Sequence, residues 1–186
     1  MKRTVLVFGL ISGAIMAVML FASMFFIRNI GFDKAEIVGY TSMVLAFLLV
    51  FFGIRSYREN VGGGSISFGR ALSVGLLIVL ISTVCYVLAW EIVYFNFMHD
   101  FAEKYAAHMV EEVRKSGAGE QAIQAKLQEM KRFKELYENP FFNAAITFLE
   151  PLPVGLILTL ISAIVLRKKS GSTNSPSSEQ ATAAAI

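Results

Sequence analysis

Glu150 is the side chain whose position asks for chemistry. It stands in Glu150-Pro151-Leu152-Pro153-Val154-Gly155, inside the apolar run 141–166. An ionisable group in hydrocarbon is costly, and by default it marks a functional site. Pro151 and Pro153 carry no amide hydrogen, so carbonyls about one turn earlier lose their helical donors. Lipid cannot replace those donors; protein or water must. The sequence therefore predicts a kinked or restarted helix, with Glu150 just ahead of the restart. There it can cap the free amides near Val154 and Gly155, because a helix N-terminus favours negative charge. Counting back from Arg167 at ~1.5 Å per residue puts Glu150 about 25 Å from the inner face, roughly 5 Å below the outer one. Glu91 is the second acid in an apolar run. Counted from Arg70, it falls ~31 Å away, at the outer interface.

Other reactive types offer less. His99 and His108 lie outside the apolar runs, so a bis-histidine haem between spans is excluded. Each has a glutamate four residues on, Glu103 and Glu112. Nine residues at about 100° put the two histidines on opposite sides of one helix, and no shared metal site is expected. No HExxH or GxSxG occurs. The three glycines Gly62, Gly63 and Gly64 are not followed by the Lys-Ser/Thr pair of a phosphate loop. The single cysteine, Cys85, cannot form an internal disulfide and reads as a small packing residue. We therefore expect no catalytic residue, no cofactor and no metal, and a chain that is not an enzyme.

The elements that must hold Glu150 are membrane helices. The chain has 186 residues, 55% of them hydrophobic, with a mean hydropathy of +0.60. The apolar residues gather in four blocks, about 5–27, 37–54, 71–95 and 141–166. Each approaches or exceeds the ~20 residues that cross a bilayer. The expected fold is all-α: a polytopic membrane protein with four transmembrane helices and a two-helix extracytoplasmic insert, 97–140, between the third and fourth. Residues 1–169 form one domain, and the Ser/Thr/Ala-rich tail 170–186 is expected to be disordered. The net charge of +3 describes a membrane-dominated surface and no nucleic-acid footprint.

Basic residues set the orientation. Lys2, Arg3, Arg55, Arg58, Arg70, Arg167, Lys168 and Lys169 fall on one side of a four-pass chain. By the positive-inside rule both termini are cytoplasmic, in a cell inner membrane. The insert is acidic by one charge, with seven basic and eight acidic side chains. Span one is longer than the ~7–15 residues of a signal-peptide core, so it reads as uncleaved.

Small residues mark close contacts. Gly9, Gly13 and Ala17 recur every four residues in span one; Gly155, Thr159 and Ala163 do so in span four. Such stripes let helices approach closely, within the bundle or between copies. Ser67 can cap the third span. In the insert, Phe101, Tyr105, Met109 and Val113 repeat at spacing four, and Ser116–Gly119 breaks the pattern. Ile123, Leu127, Met130, Phe133 and Tyr137 resume it. Two amphipathic helices follow, paired as a hairpin or lying on the outer leaflet.

Four stretches carry a family resemblance: Gly-Leu-Ile-Ser-Gly at 9–13, Phe-Gly-Ile-Arg-Ser-Tyr-Arg at 52–58, Ile-Ser-Phe-Gly-Arg-Ala at 66–71 and Pro-Val-Gly-Leu-Ile-Leu-Thr-Leu-Ile-Ser-Ala at 153–163. Together they resemble the DUF4199 family of bacterial membrane proteins. The resemblance spans Lys2 to Lys169 and implies four spans; it implies no activity. Two functions remain from different classes. The first is a non-enzymatic accessory or assembly protein, in contact with the lipid bilayer and with a membrane-protein partner or a second copy. The second is a small oligomeric proton- or cation-coupled carrier or channel that uses Glu150 and Glu91. Few polar groups line the spans, which favours the first.

Overall fold

A membrane span has no hydrophobic drive toward its neighbours; close packing and interhelical hydrogen bonds hold it in place. Both are visible here. The structure, a computed structural model, describes residues 1–168, at 24–30 and 33 by backbone alone. The predicted tail, 170–186, lies outside the described residues.

Among the described residues six helices follow one another: α1 Lys2–Asn60, α2 Phe68–Phe97, α3 Phe101–Lys115, α4 Glu120–Tyr137, α5 Pro140–Leu149 and α6 Leu152–Leu166. Helix α1 is two arms, reversed at Gly31, whose φ of 75° and ψ of 169° suit a residue without Cβ. The expected outer loop between the first two spans is therefore largely helical, with its turn concentrated at one glycine. Among the described residues four segments are long and apolar enough to cross a membrane: Lys2–Ser23, Lys34–Asn60, Phe68–Phe97 and Pro140–Leu166. The fold is all-α, with four such spans and a two-helix insert, α3 and α4, between the third and fourth.

Helix α2 is central. It packs on α1 and on α6, and its C-terminal half meets α5. Glycines set the approach. A Cβ on Gly9 would stand 2.8 Å from Ile81 Cβ, and one on Gly13 would stand 2.6 Å from Cys85 Cβ. On the opposite side of α2, a Cβ on Gly155 would meet Val79 Cγ1 at 2.5 Å. Hydroxyls add bonds between the helices: Ser82 of α2 donates to Gly9 O at 3.1 Å, and Ser12 joins the two arms of α1 by donating to Ala46 O at 3.0 Å. Phe47, Val50, Ile54, Val74 and Ile78 fill the space between.

Caps sit where turn chemistry puts them. Ser67 Oγ accepts from Arg70 N at the start of α2. Asn139 Oδ1 accepts from Phe141 N at 2.9 Å, with Pro140 in the first turn of α5, where its missing amide costs nothing.

The insert is a hairpin. Helices α3 and α4 pack on each other, with Lys134 Nζ donating to Glu103 Oε2 at 2.9 Å. Tyr105 and Phe133 face each other at 5.8 Å between ring centroids. Val110 and Met130 are buried between the helices, whereas Leu127, placed by its spacing on the apolar face, is exposed.

Candidate functional site

The polar side chains of α5 recur on one helical face. Asn143 and Thr147 are one turn apart, and Glu150 follows three residues later. Helix α2 offers Tyr86 and Trp90, also one turn apart. The two rows meet. Tyr86 donates its hydroxyl to Glu150 Oε2 at 3.2 Å. Trp90 Nε1 lies 3.0 Å from both Asn143 Oδ1 and the Tyr137 hydroxyl, one hydrogen shared between two acceptors. Thr147 donates to Asn143 Oδ1 at 3.3 Å, and Asn143 Nδ2 donates to Tyr137 O at 3.3 Å. Asn143, Thr147, Trp90 and Tyr137 are all buried.

This network joins the hairpin to the bundle. Tyr137 is the last residue of α4, and its carbonyl would lack a helical donor; the Asn143 amide supplies one. Its phenol is held neutral: burial raises its pKa above the ordinary tyrosine range, with bonds to Thr147 and Trp90 opposing the shift. Aromatic rings complete the joint. Trp90 meets Phe101 edge-on at 4.9 Å, and Tyr94 meets Tyr137 edge-on at 5.2 Å. Phe32, next to the Gly31 reversal, stacks on His108 at 5.2 Å, so the first inter-span turn also touches α3.

Glu150 and its prolines differ from the sequence expectation in backbone path and in bonding partner. The backbone keeps right-handed helical angles through Glu150 (φ −61°, ψ −51°) and Pro151 (φ −78°, ψ −16°). The break between α5 and α6 is thus a loss of hydrogen bonds within a continuing helical path. Among the described residues no side chain caps α6. The Glu150 carboxylate does not reach forward to the amides near Val154 and Gly155; it reaches sideways to Tyr86, and Gly155 N bonds Pro151 O instead. Pro151 is buried and Pro153 exposed. By rise per residue Glu150 lies about 15 Å below the start of α5. Glu36 and Tyr40 of the second span are near enough to act on it electrostatically.

Glu91 stands apart. It is five residues from Tyr86, about 140° around α2. Its Oε1 is buried without a hydrogen-bond partner among the described residues. Glu150 and Glu91 are therefore not brought together. Gly9, Gly13 and Gly155 lie at helix contacts on either side of α2. On the face of Tyr86 toward the first two spans is a cleft of about 40 Å³, lined by Met16, Met19, Ser42 and Met43 among others.

The spacing 143, 147, 150 in an otherwise apolar run was the available signal for the network, since polar residues at helical spacing in a span share a face. Its partner Tyr137 reads in sequence only as an apolar position of the hairpin. Among the described residues no group of three His, Cys, Asp or Glu side chains is placed to hold a metal ion.

A family model described as "Protein of unknown function (DUF4199)" matches residues 7–168. No curated protein and no solved structure matches the chain.

Proposed function

The chain belongs to the DUF4199 family of proteins of unknown function, and we propose that it is a non-enzymatic accessory protein of the bacterial inner membrane. In this reading the four spans are a scaffold and the outer hairpin is a contact arm for another membrane protein. Both termini are cytoplasmic and the hairpin is outside, as the basic residues at the span ends favour.

One observation carries the reading: the buried hydrogen bonds of Trp90, Tyr137, Asn143 and Thr147 are spent on fixing the base of the hairpin. Buried polar networks that are fully bonded rigidify what they join. Beyond that base, α3 packs chiefly on α4. A rigid arm of about 27 Å, the length of α4, is thereby presented from the bundle. The test is a photoreactive side chain at exposed Gln121 or Gln128 in intact cells. Adducts of one defined mass support a contact arm; no adduct from either position contradicts it.

The carrier reading draws on a separate observation. Tyr86 stands between the small cleft and Glu150, so a proton or cation in the cleft has a hydroxyl leading to a carboxylate. Proteoliposome flux decides this. Robust pH-dependent flux in the parent, abolished by Glu150→Gln at unchanged thermal stability, would establish the carrier and displace the accessory role.

A further inference from the structure

Three helix ends meet at the corner formed by Asn60, Phe68 and Leu166. An antiparallel bridge ties them, with Ile66 N donating to Lys168 O and Lys168 N to Ile66 O, each at 3.0 Å. Among the described residues five cationic side chains border this corner, Arg55, Arg58, Arg70, Arg167 and Lys168, against one carboxylate, Glu59. Glu59 is already engaged, bonded by Arg55 Nε at 2.9 Å and approached by Arg58 Nη2 at 3.4 Å.

Two guanidiniums are oriented in advance. Arg58 Nη1 reaches Leu166 O at 3.4 Å, which closes α1 against the end of α6. Arg70 Nη1 donates to the hydroxyl of Tyr57, a buried ring, at 3.3 Å. Tyr57 accepts there, and among the described residues its own proton has no acceptor. Arg167 and Lys168 are exposed, and their side chains have no bonded partner among the described residues.

We propose that this corner binds the phosphate of an anionic phospholipid in the adjacent leaflet. A guanidinium fork matches phosphate oxygens, and an oriented one loses less entropy on binding. Arg70 contacts the phosphate, with Tyr57 donating beside it, and Arg167 and Lys168 supply the charge that selects anionic over zwitterionic headgroups. A lipid also gains what a soluble phosphate cannot. Exposed Phe52, Ile164 and Val165 lie within a turn of these cations and offer apolar surface to its acyl chains.

The experiment is native mass spectrometry of the full chain, released from nanodiscs of phosphatidylcholine with or without phosphatidylglycerol. The parent should retain phosphatidylglycerol selectively. Arg70→Gln with Arg167→Gln should lower that retention about tenfold or more, at roughly one decade or less per basic residue. It should remain folded in phosphatidylcholine, with at most a small drop in melting temperature from the lost Arg70–Tyr57 bond. Should that variant fail to fold, Arg167→Gln with Lys168→Gln reads the same way, because neither side chain holds a bond in the fold. Equal retention of both lipids by the parent, or undiminished selectivity in the folded variant, overturns the proposal. So does complete displacement of the lipid by inorganic phosphate, which assigns the corner to a soluble anion.

Discussion

Asn143→Leu tests the joint between hairpin and bundle by replacing the amide with an apolar group of the same branching and heavy-atom count. The amide makes three contacts: it accepts from Trp90 at 3.0 Å and from Thr147 at 3.3 Å, and donates to Tyr137 O at 3.3 Å. Leucine removes all three. Trp90 keeps the Tyr137 hydroxyl as acceptor, so its indole is not orphaned. The Tyr137 carbonyl is left without its side-chain donor at a buried helix end, a loss of about 1–3 kcal/mol. Interhelical hydrogen bonds in membranes average about 0.6 kcal/mol, with a ceiling near 1.7. A total near 2 kcal/mol is expected, or about a 30-fold rise in opening of the joint. The assay is amide hydrogen exchange in nanodiscs. Exchange should rise by about that factor from Phe133 to Asn143 and stay unchanged in Lys34–Asn60. Unchanged exchange at the end of α4, or a uniform rise through all four spans, would refute the assignment of these bonds to hairpin attachment.

Gly13→Ala should destabilise by about 1–3 kcal/mol, because its Cβ would stand 2.6 Å from Cys85 Cβ. Adding Cys85→Gly should recover most of that loss in detergent unfolding, apart from about 1 kcal/mol for glycine within a helix; no recovery would mean the two helices do not meet there. In an alkaline titration followed by phenolate absorbance, Tyr137→Phe should remove a phenol that titrates above the ordinary value of about 10, since burial raises its pKa. Loss of an ordinarily titrating phenol instead would place Tyr137 in water. Glu150→Gln should keep the fold, because an amide oxygen still accepts from Tyr86; collapse of the bundle would give the carboxylate a role its bond to Tyr86 does not account for.

The spans were legible because roughly 20 apolar residues in a row have few alternatives to a membrane helix. The hairpin was legible from spacing four between Phe101, Tyr105, Met109 and Val113. Whether it paired or lay flat was not, since one apolar stripe serves either arrangement. The Gly31 turn was hidden because the residues around it read as a polar loop. For Glu150, the sequence offered only local partners. Its observed partner, Tyr86, is 64 residues earlier, and no local pattern brings the two together. The capping expectation assumed that two prolines end a helix. Pro151 keeps helical angles, so the carboxylate is not aimed at the next helix start. Asn143 and Thr147 were read as part of an apolar run, although with Glu150 they trace one face, which is where the α2 network forms.

The central claim is that a rigidly held hairpin contacts a partner outside the bundle. Its most direct measurement is photo-cross-linking in intact cells from Gln128, in the parent and in Asn143→Leu at matched expression. The account predicts an adduct of one defined mass in the parent, and several-fold less of it once the joint is loosened while the spans remain folded. Equal adduct yield in both proteins, or no adduct in the parent, would contradict it.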